Sequence, residues 1–152
     1  MKQETKVIKD FLKRIGLKHI KVRSAQLTEC DTTNDIIYFS MAWYDEKSYK
    51  EHKKIYADIY KSKGYKINVS MATFTLFHEI GHILSKLELK TTNNDYLKAV
   101  SKLPRDKGLK TMLMAYREIP DEKLADEWGY LLYKKCEKRA EVLDRELQAL
   151  TH

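Results

Sequence analysis

Two histidines four residues apart, with a glutamate directly after the first, constrain this chain more than any other feature: His78-Glu79-Ile80-Gly81-His82. On a helix, positions i and i+4 stand one above the other on the same face. The two imidazoles can therefore close on a single metal ion. Glu79 then projects beside that ion, placed to take a proton from a water the ion holds. The segment itself reads as a helix. Ser70 is placed to cap it, and Phe77, Ile80, Ile83, Leu84 and Leu87 form an apolar stripe. His78, Glu79 and His82 fall beside the stripe on a face of their own.

A chain of 152 residues is long enough for one sizeable core, so residues 1–152 are expected to form one domain. No repeat, low-complexity tract or linker divides it. Met1 to Asp10 is polar and no apolar stretch of signal-peptide length follows it. No apolar run has membrane-spanning length. Cys30 and Cys136 lie far apart, without metal or redox spacing. Together these features predict a cytoplasmic, reduced protein without a membrane partner. A net charge of +7 suits an acidic partner or nucleic acid. The lysines, however, are spread along the chain, and no nucleic-acid-binding motif accompanies them, so nothing beyond charge indicates such a partner.

The periodicity predicts an α+β fold, mostly helical, with a small antiparallel sheet. Lys2 to Ile15 is amphipathic and ends at Gly16. His19 to Leu27 and Asp35 to Trp43 alternate as strands. With Thr28 to Asn34 as the turn, they predict an antiparallel hairpin over about 19–43, packed near the histidine helix. Cys30 would then be an exposed thiol in that turn. Helices follow over Asp45 to Lys63, Asp95 to Leu103 and from Asp106. A last helix starts at Pro120 as its first residue. Its stripe of Leu124, Trp128, Leu131, Leu132, Cys136, Ala140, Leu143 and Leu147 predicts one continuous helix almost to the end.

A metal site of this kind needs a third protein ligand and an open fourth position. The longer motif H-E-x-x-H-x-x-G-x-x-H would require glycine at Ser85 and histidine at Glu88. Neither is present, and an unbroken helix carries Glu88 away. Glu122, in the first turn of the last helix, is the preferred ligand. Glu118 and the other carboxylates, with His19, His52 and His152, are the alternatives. Asp126 lies one turn beyond Glu122, where it can accept a hydrogen bond from a ligand histidine and fix its tautomer.

These residues carry a resemblance. His78-Glu79-Ile80-Gly81-His82, followed by Glu122, Ala125, Asp126 and Trp128, resembles the ImmA/IrrE-type metallopeptidases of bacteria, integrative elements and phages. In that family a helical H-E-x-G-H precedes a glutamate, then alanine with aspartate or asparagine, then an aromatic residue. The resemblance covers roughly Asp35 to Tyr133. It implies a zincin-like fold, Zn2+ as cofactor, His78, His82 and Glu122 as ligands, and Glu79 as base. It further implies a protein or peptide substrate, a regulatory protein among the possibilities. Gly129 stands where the family often has alanine, and the family's proline-terminated run is missing.

The expected chemistry is peptide hydrolysis by a metal-activated water with Glu79 as general base. Tyr116, Arg117 and Tyr130 are the candidates to stabilise the oxyanion. The strand Asp35 to Trp43, if it is an edge beside the cleft, could pair with an extended substrate. The alternative is a zincin-like binding module without catalysis, acting on a protein or nucleic-acid partner. Glu79 argues for the enzyme, because a structural metal site has no need of a base.

Overall fold

The computed structural model describes residues 1–151, so His152 lies outside the described residues. Among the described residues, seven α-helices accompany a small sheet. Helix α1 (Gln3–Arg14) buries Ile8, Phe11 and Leu12 on its inner face. The strands β1 (Lys21–Ser24), β2 (Glu29–Asp31) and β3 (Ile36–Phe39) form a mixed sheet with β3 in the middle. β1 runs parallel to β3, whereas β2 pairs with it antiparallel. Ile37 and Phe39 of β3 are fully buried and carry the sheet into the core.

The antiparallel hairpin expected between 19–27 and 35–43 is therefore not the one that forms. The reversal comes later, inside the stretch read as a turn. Asp31 Oδ1 accepts from the backbone N–H groups of Thr33 and Asn34 at 3.0 and 3.1 Å. This side-chain-to-backbone turn ends at Asp35, whose φ of 53° is left-handed. Glu29 to Asp31 thereby becomes a strand against β3, and β1 takes the other side. Because β3 is flanked on both sides, the condition that Asp35 to Trp43 be an edge is not met; the edges of the sheet are β1 and β2. The ladder also stops at Phe39. The Ser40 hydroxyl accepts from Ala42 N–H at 3.1 Å and starts a 3-10 turn at Ala42–Tyr44, which carries Trp43 out of the sheet.

Helix α2 (Lys50–Ser62) leads through an extended segment to α3 (Met71–Ser85), which carries the histidine pair. Ser70 caps α3 by accepting from Thr73 N–H at 3.3 Å. Leu87, expected in the apolar stripe, lies past the helix end and is exposed. Four more helices follow: α4 (Asn93–Ser101), α5 (Leu109–Glu118), α6 (Pro120–Lys135) and α7 (Glu137–Ala149). The single last helix expected from Pro120 is thus two. The break falls at Cys136, at φ −123° and ψ 32°. No glycine or proline marks it. It turns α7 back onto α1 and α3, where Asp144 accepts from Ser70 N–H at 3.1 Å and Ser70 Oγ at 2.7 Å, and also from Thr73 Oγ1. Leu131 of the expected stripe is left exposed.

α3 packs most extensively on α6, and two glycines set how close the helices come. A Cβ added at Gly81 would lie 2.0 Å from the Ala125 carbonyl oxygen, and one at Gly129 would lie 2.5 Å from that of Phe77. No side chain fits at either crossing point. The bend that seats α7 and the glycine contact that seats α6 hold α3 firmly. At its other end Lys86 Nζ donates to Asp35 Oδ1 at 2.6 Å and Thr32 O at 2.9 Å. Among the described residues, no helix is long and apolar enough to cross a membrane.

Candidate metal centre

His78 and His82 share one face of α3, with ring centroids 4.6 Å apart. Glu79 joins them: one ligating atom from each of His78, Glu79 and His82 lies within 4.8 Å of the others. The close α3–α6 crossing brings Glu122 to the pair. Its Oε1 lies 3.0 Å from His78 Nε2 and 3.3 Å from His82 Nε2. Asp126, one turn along α6, sits 2.7 Å from His78 Nδ1. The carboxylate of Asp126 makes Nδ1 the donating nitrogen and turns Nε2 toward Glu122.

The donor set suits a zinc ion. Zinc bonds of about 2.0–2.2 Å to nitrogen or oxygen, arranged tetrahedrally, put neighbouring ligand atoms about 3.3 Å apart. The His78–Glu122 and His82–Glu122 separations are already close to that edge. Bound through Nε2 of each imidazole and the Glu122 carboxylate, such an ion would keep a fourth position for water.

Three further side chains complete the network, and the sequence reading placed none of them in it. Tyr60 donates to Asp126 Oδ1 at 2.9 Å. Tyr96 donates to Glu122 Oε2 at 3.2 Å. Arg117, considered only as an oxyanion donor, is buried and donates through Nη2 to Glu122 Oε1 at 2.9 Å. Its Nε faces Asp126 Oδ2 at 3.3 Å, outside good hydrogen-bond geometry. All three come from elements remote in sequence or from a neighbouring helix, with no spacing to betray them.

Burial and the nearby charges set the protonation states. Burial and the Arg117 cation push His78 down, but Asp126 and Glu122 outweigh them and leave it raised to about 9. Burial raises Glu122, yet hydrogen bonds from both histidines hold it well below the usual carboxylate range. Glu79 goes the other way. Burial lifts its carboxyl, and the histidines offset this only in part.

The other candidates stand elsewhere. Glu118 is exposed and pairs with Lys63 at 3.2 Å and Lys123 at 3.5 Å. Glu88 accepts from Trp128 Nε1 at 2.7 Å. His19 is exposed, and His52 meets Tyr49 edge to face. Tyr116 lines the cavity beside His78 and Glu79, and its hydroxyl lies 3.0 Å from that of Tyr96. Tyr130 does not join the site. Its ring stacks on Tyr65 at 4.2 Å, and its hydroxyl accepts from Lys66 N–H at 3.0 Å. Cys30 is in β2 and half-buried against the site, not an exposed turn thiol. Burial, reinforced by the charge of Glu79, pushes its thiol far up.

No protein-family model matches the chain, and no curated protein or solved structure matches it either.

Proposed function

We propose that the chain is a zinc-dependent metallopeptidase with a zincin-like fold, related to the ImmA/IrrE-type enzymes and to the phage or mobile-element setting that resemblance implies. One observation carries this reading: a buried carboxylate, Glu79, stands beside a converging pair of imidazoles and a second carboxylate, Glu122. A structural site would have no use for it. Zn2+ bound by His78, His82 and Glu122 would supply Lewis-acid activation of a water and of the peptide carbonyl.

The chain's own residues do the remaining work. Asp126 pairs with His78 Nδ1 and so orients the ring with Nε2 toward Glu122. Burial lifts the Glu79 carboxyl toward the operating pH, where a base can both accept and return a proton. Glu79 accepts the proton of the attacking water and delivers it to the departing amine. Tyr116, at the cavity wall beside Glu79, is the remaining tyrosine candidate for the oxyanion. Glu79→Gln tests the reading. Zinc content and melting temperature should stay near wild type while cleavage of a peptide mixture disappears; cleavage at the wild-type rate would overturn it.

A non-catalytic binding module has one observation in its favour. Arg117 and His78 already balance Glu122 and Asp126, so the network is charge-satisfied without an ion. Zinc-free protein with full partner binding would favour it.

A further inference from the structure

Beside His78 and Glu79 lies a cavity of about 290 Å³, of which the chemistry above uses only the wall at Glu79 and Tyr116. One wall is aromatic. Trp43, carried out of the sheet by the turn after Ser40, stacks on Tyr56 at 5.7 Å and meets Tyr49 at 5.6 Å. Leu27 and Met71 add apolar surface. Tyr49 and Leu27 are exposed, at 41% and 62%, so apolar groups stand uncovered on this wall. The volume sits at the small end of the range for ligand pockets, about 300–1,000 Å³. It suits one large side chain and not a stretch of chain.

Several titratable groups line the cavity: Glu29, Glu79, His52, His78 and Arg117. Glu29 is exposed, which makes a basic side chain the competing occupant. His78 and Arg117 are committed to Glu122 and Asp126, so neither offers free charge to a substrate carboxylate. Arg117 is also engaged with two rings of the wall. Its guanidinium lies 5.2 Å from the centre of the Tyr56 ring and 5.1 Å from that of Tyr116. Those two rings are already engaged by a cation and are not free to receive a second one.

We propose that this cavity is the specificity pocket of the site and takes a bulky apolar side chain (Phe, Trp, Leu or Met) of the polypeptide substrate, next to the bond to be broken. The substrate half of this proposal rests on the peptidase reading; the selectivity of the cavity does not. The two are tested separately.

For the cavity, Trp128→Phe leaves Trp43 as the sole tryptophan of the two in the chain. That protein is titrated with the N-acetyl amides of Phe, Leu, Lys and Gly while Trp43 emission is followed. The Phe and Leu amides should bind at least about tenfold more tightly than the Gly amide, the gain expected from burying one large apolar side chain. Thr75→Phe, which places a ring in the cavity, and Tyr49→Ala, which strips exposed wall, should each remove the difference. The second variant keeps the test open should the first fail to fold. Equal binding of all four amides, or tightest binding of Lys, overturns the proposal. For the substrate, zinc-loaded wild-type chain is given a peptide mixture with one randomised position. Cleavage next to large apolar residues, relaxed by Tyr49→Ala, supports the pocket. Cleavage without preference overturns the pocket and leaves the peptidase reading standing. Selective amide binding with no peptide cleaved upholds the cavity and overturns the peptidase reading alone.

Discussion

Gly129→Ala separates a local effect from a tertiary one by sign. In an exposed helix interior the change would stabilise by about 0.8–1.0 kcal/mol, through backbone entropy. Here the new methyl group would lie 2.5 Å from the Phe77 carbonyl oxygen, nearly an ångström short of ordinary contact at 3.4 Å, and 3.2 Å from the His78 backbone nitrogen. Backbone atoms cannot swing aside as a side chain can, so α3 and α6 must separate. Overpacking of this kind costs about 1–3 kcal/mol, and a gap of 0.5–1 Å forfeits about a quarter to a half of each dispersion contact along the interface. With the clash against backbone and the lost contacts added, the upper part of that range applies, about 2–3 kcal/mol, and after the propensity gain a net loss of about 1–2 kcal/mol remains. For a domain of this size that lowers the melting temperature by roughly 2–8 °C. Circular dichroism melts of zinc-free protein measure it directly. Because the peptide pushed aside joins Phe77 to His78, zinc affinity should fall as well. A melting temperature equal to or above wild type would refute the claim that these glycines set the helix spacing.

Three other outcomes follow from the same contacts. Asp126→Asn keeps shape but loses the charge that orients His78, so zinc affinity in a chelator competition should fall by about 10–100-fold; unchanged affinity would remove Asp126 from the site. Asp144→Ala removes the acceptor of the Ser70 N–H and of the Ser70 and Thr73 hydroxyls at the start of α3 and should cost about 1–3 kcal/mol in urea unfolding. His78 is raised from 6.5 to about 9 in the folded zinc-free chain, so its contribution is fully present below about pH 6.5 and is lost as pH rises through about 9. Melts across that window should fall steadily, and a profile that rises would contradict the ion-paired state of His78.

The site was more legible than the fold because its information is local. The i, i+4 spacing of His78 and His82 placed both on one face of α3, and the same spacing aligned Glu122 with Asp126 on α6. The preferred third residue was one of several until the structure placed its carboxylate against both imidazoles. Tyr60 and Tyr96 have no local signal, and Arg117 reads only as an oxyanion candidate, because their partners are fixed when α2, α4 and α5 are packed. The sheet differs from the expected hairpin for a related reason. Composition marks Thr28 to Asn34 as a turn, but the hydrogen bonds of Asp31 decide which residues turn and which pair. The break at Cys136 has no local signal at all. It is favoured by what α7 gains when Asp144 reaches Ser70. Gly129, which departs from the pattern of the family the sequence resembles, sits at the close crossing of α6 over α3.

The claim at the centre is that His78, His82 and Glu122 hold one zinc ion with Glu79 beside it. Elemental analysis of protein purified without added zinc, for the wild type and for His78→Ala, Glu122→Ala and Glu79→Gln, tests it most directly. About one zinc per chain in the wild type and in Glu79→Gln, lost in the other two, is the predicted result. A zinc-free wild type, or zinc retained in Glu122→Ala, would contradict it.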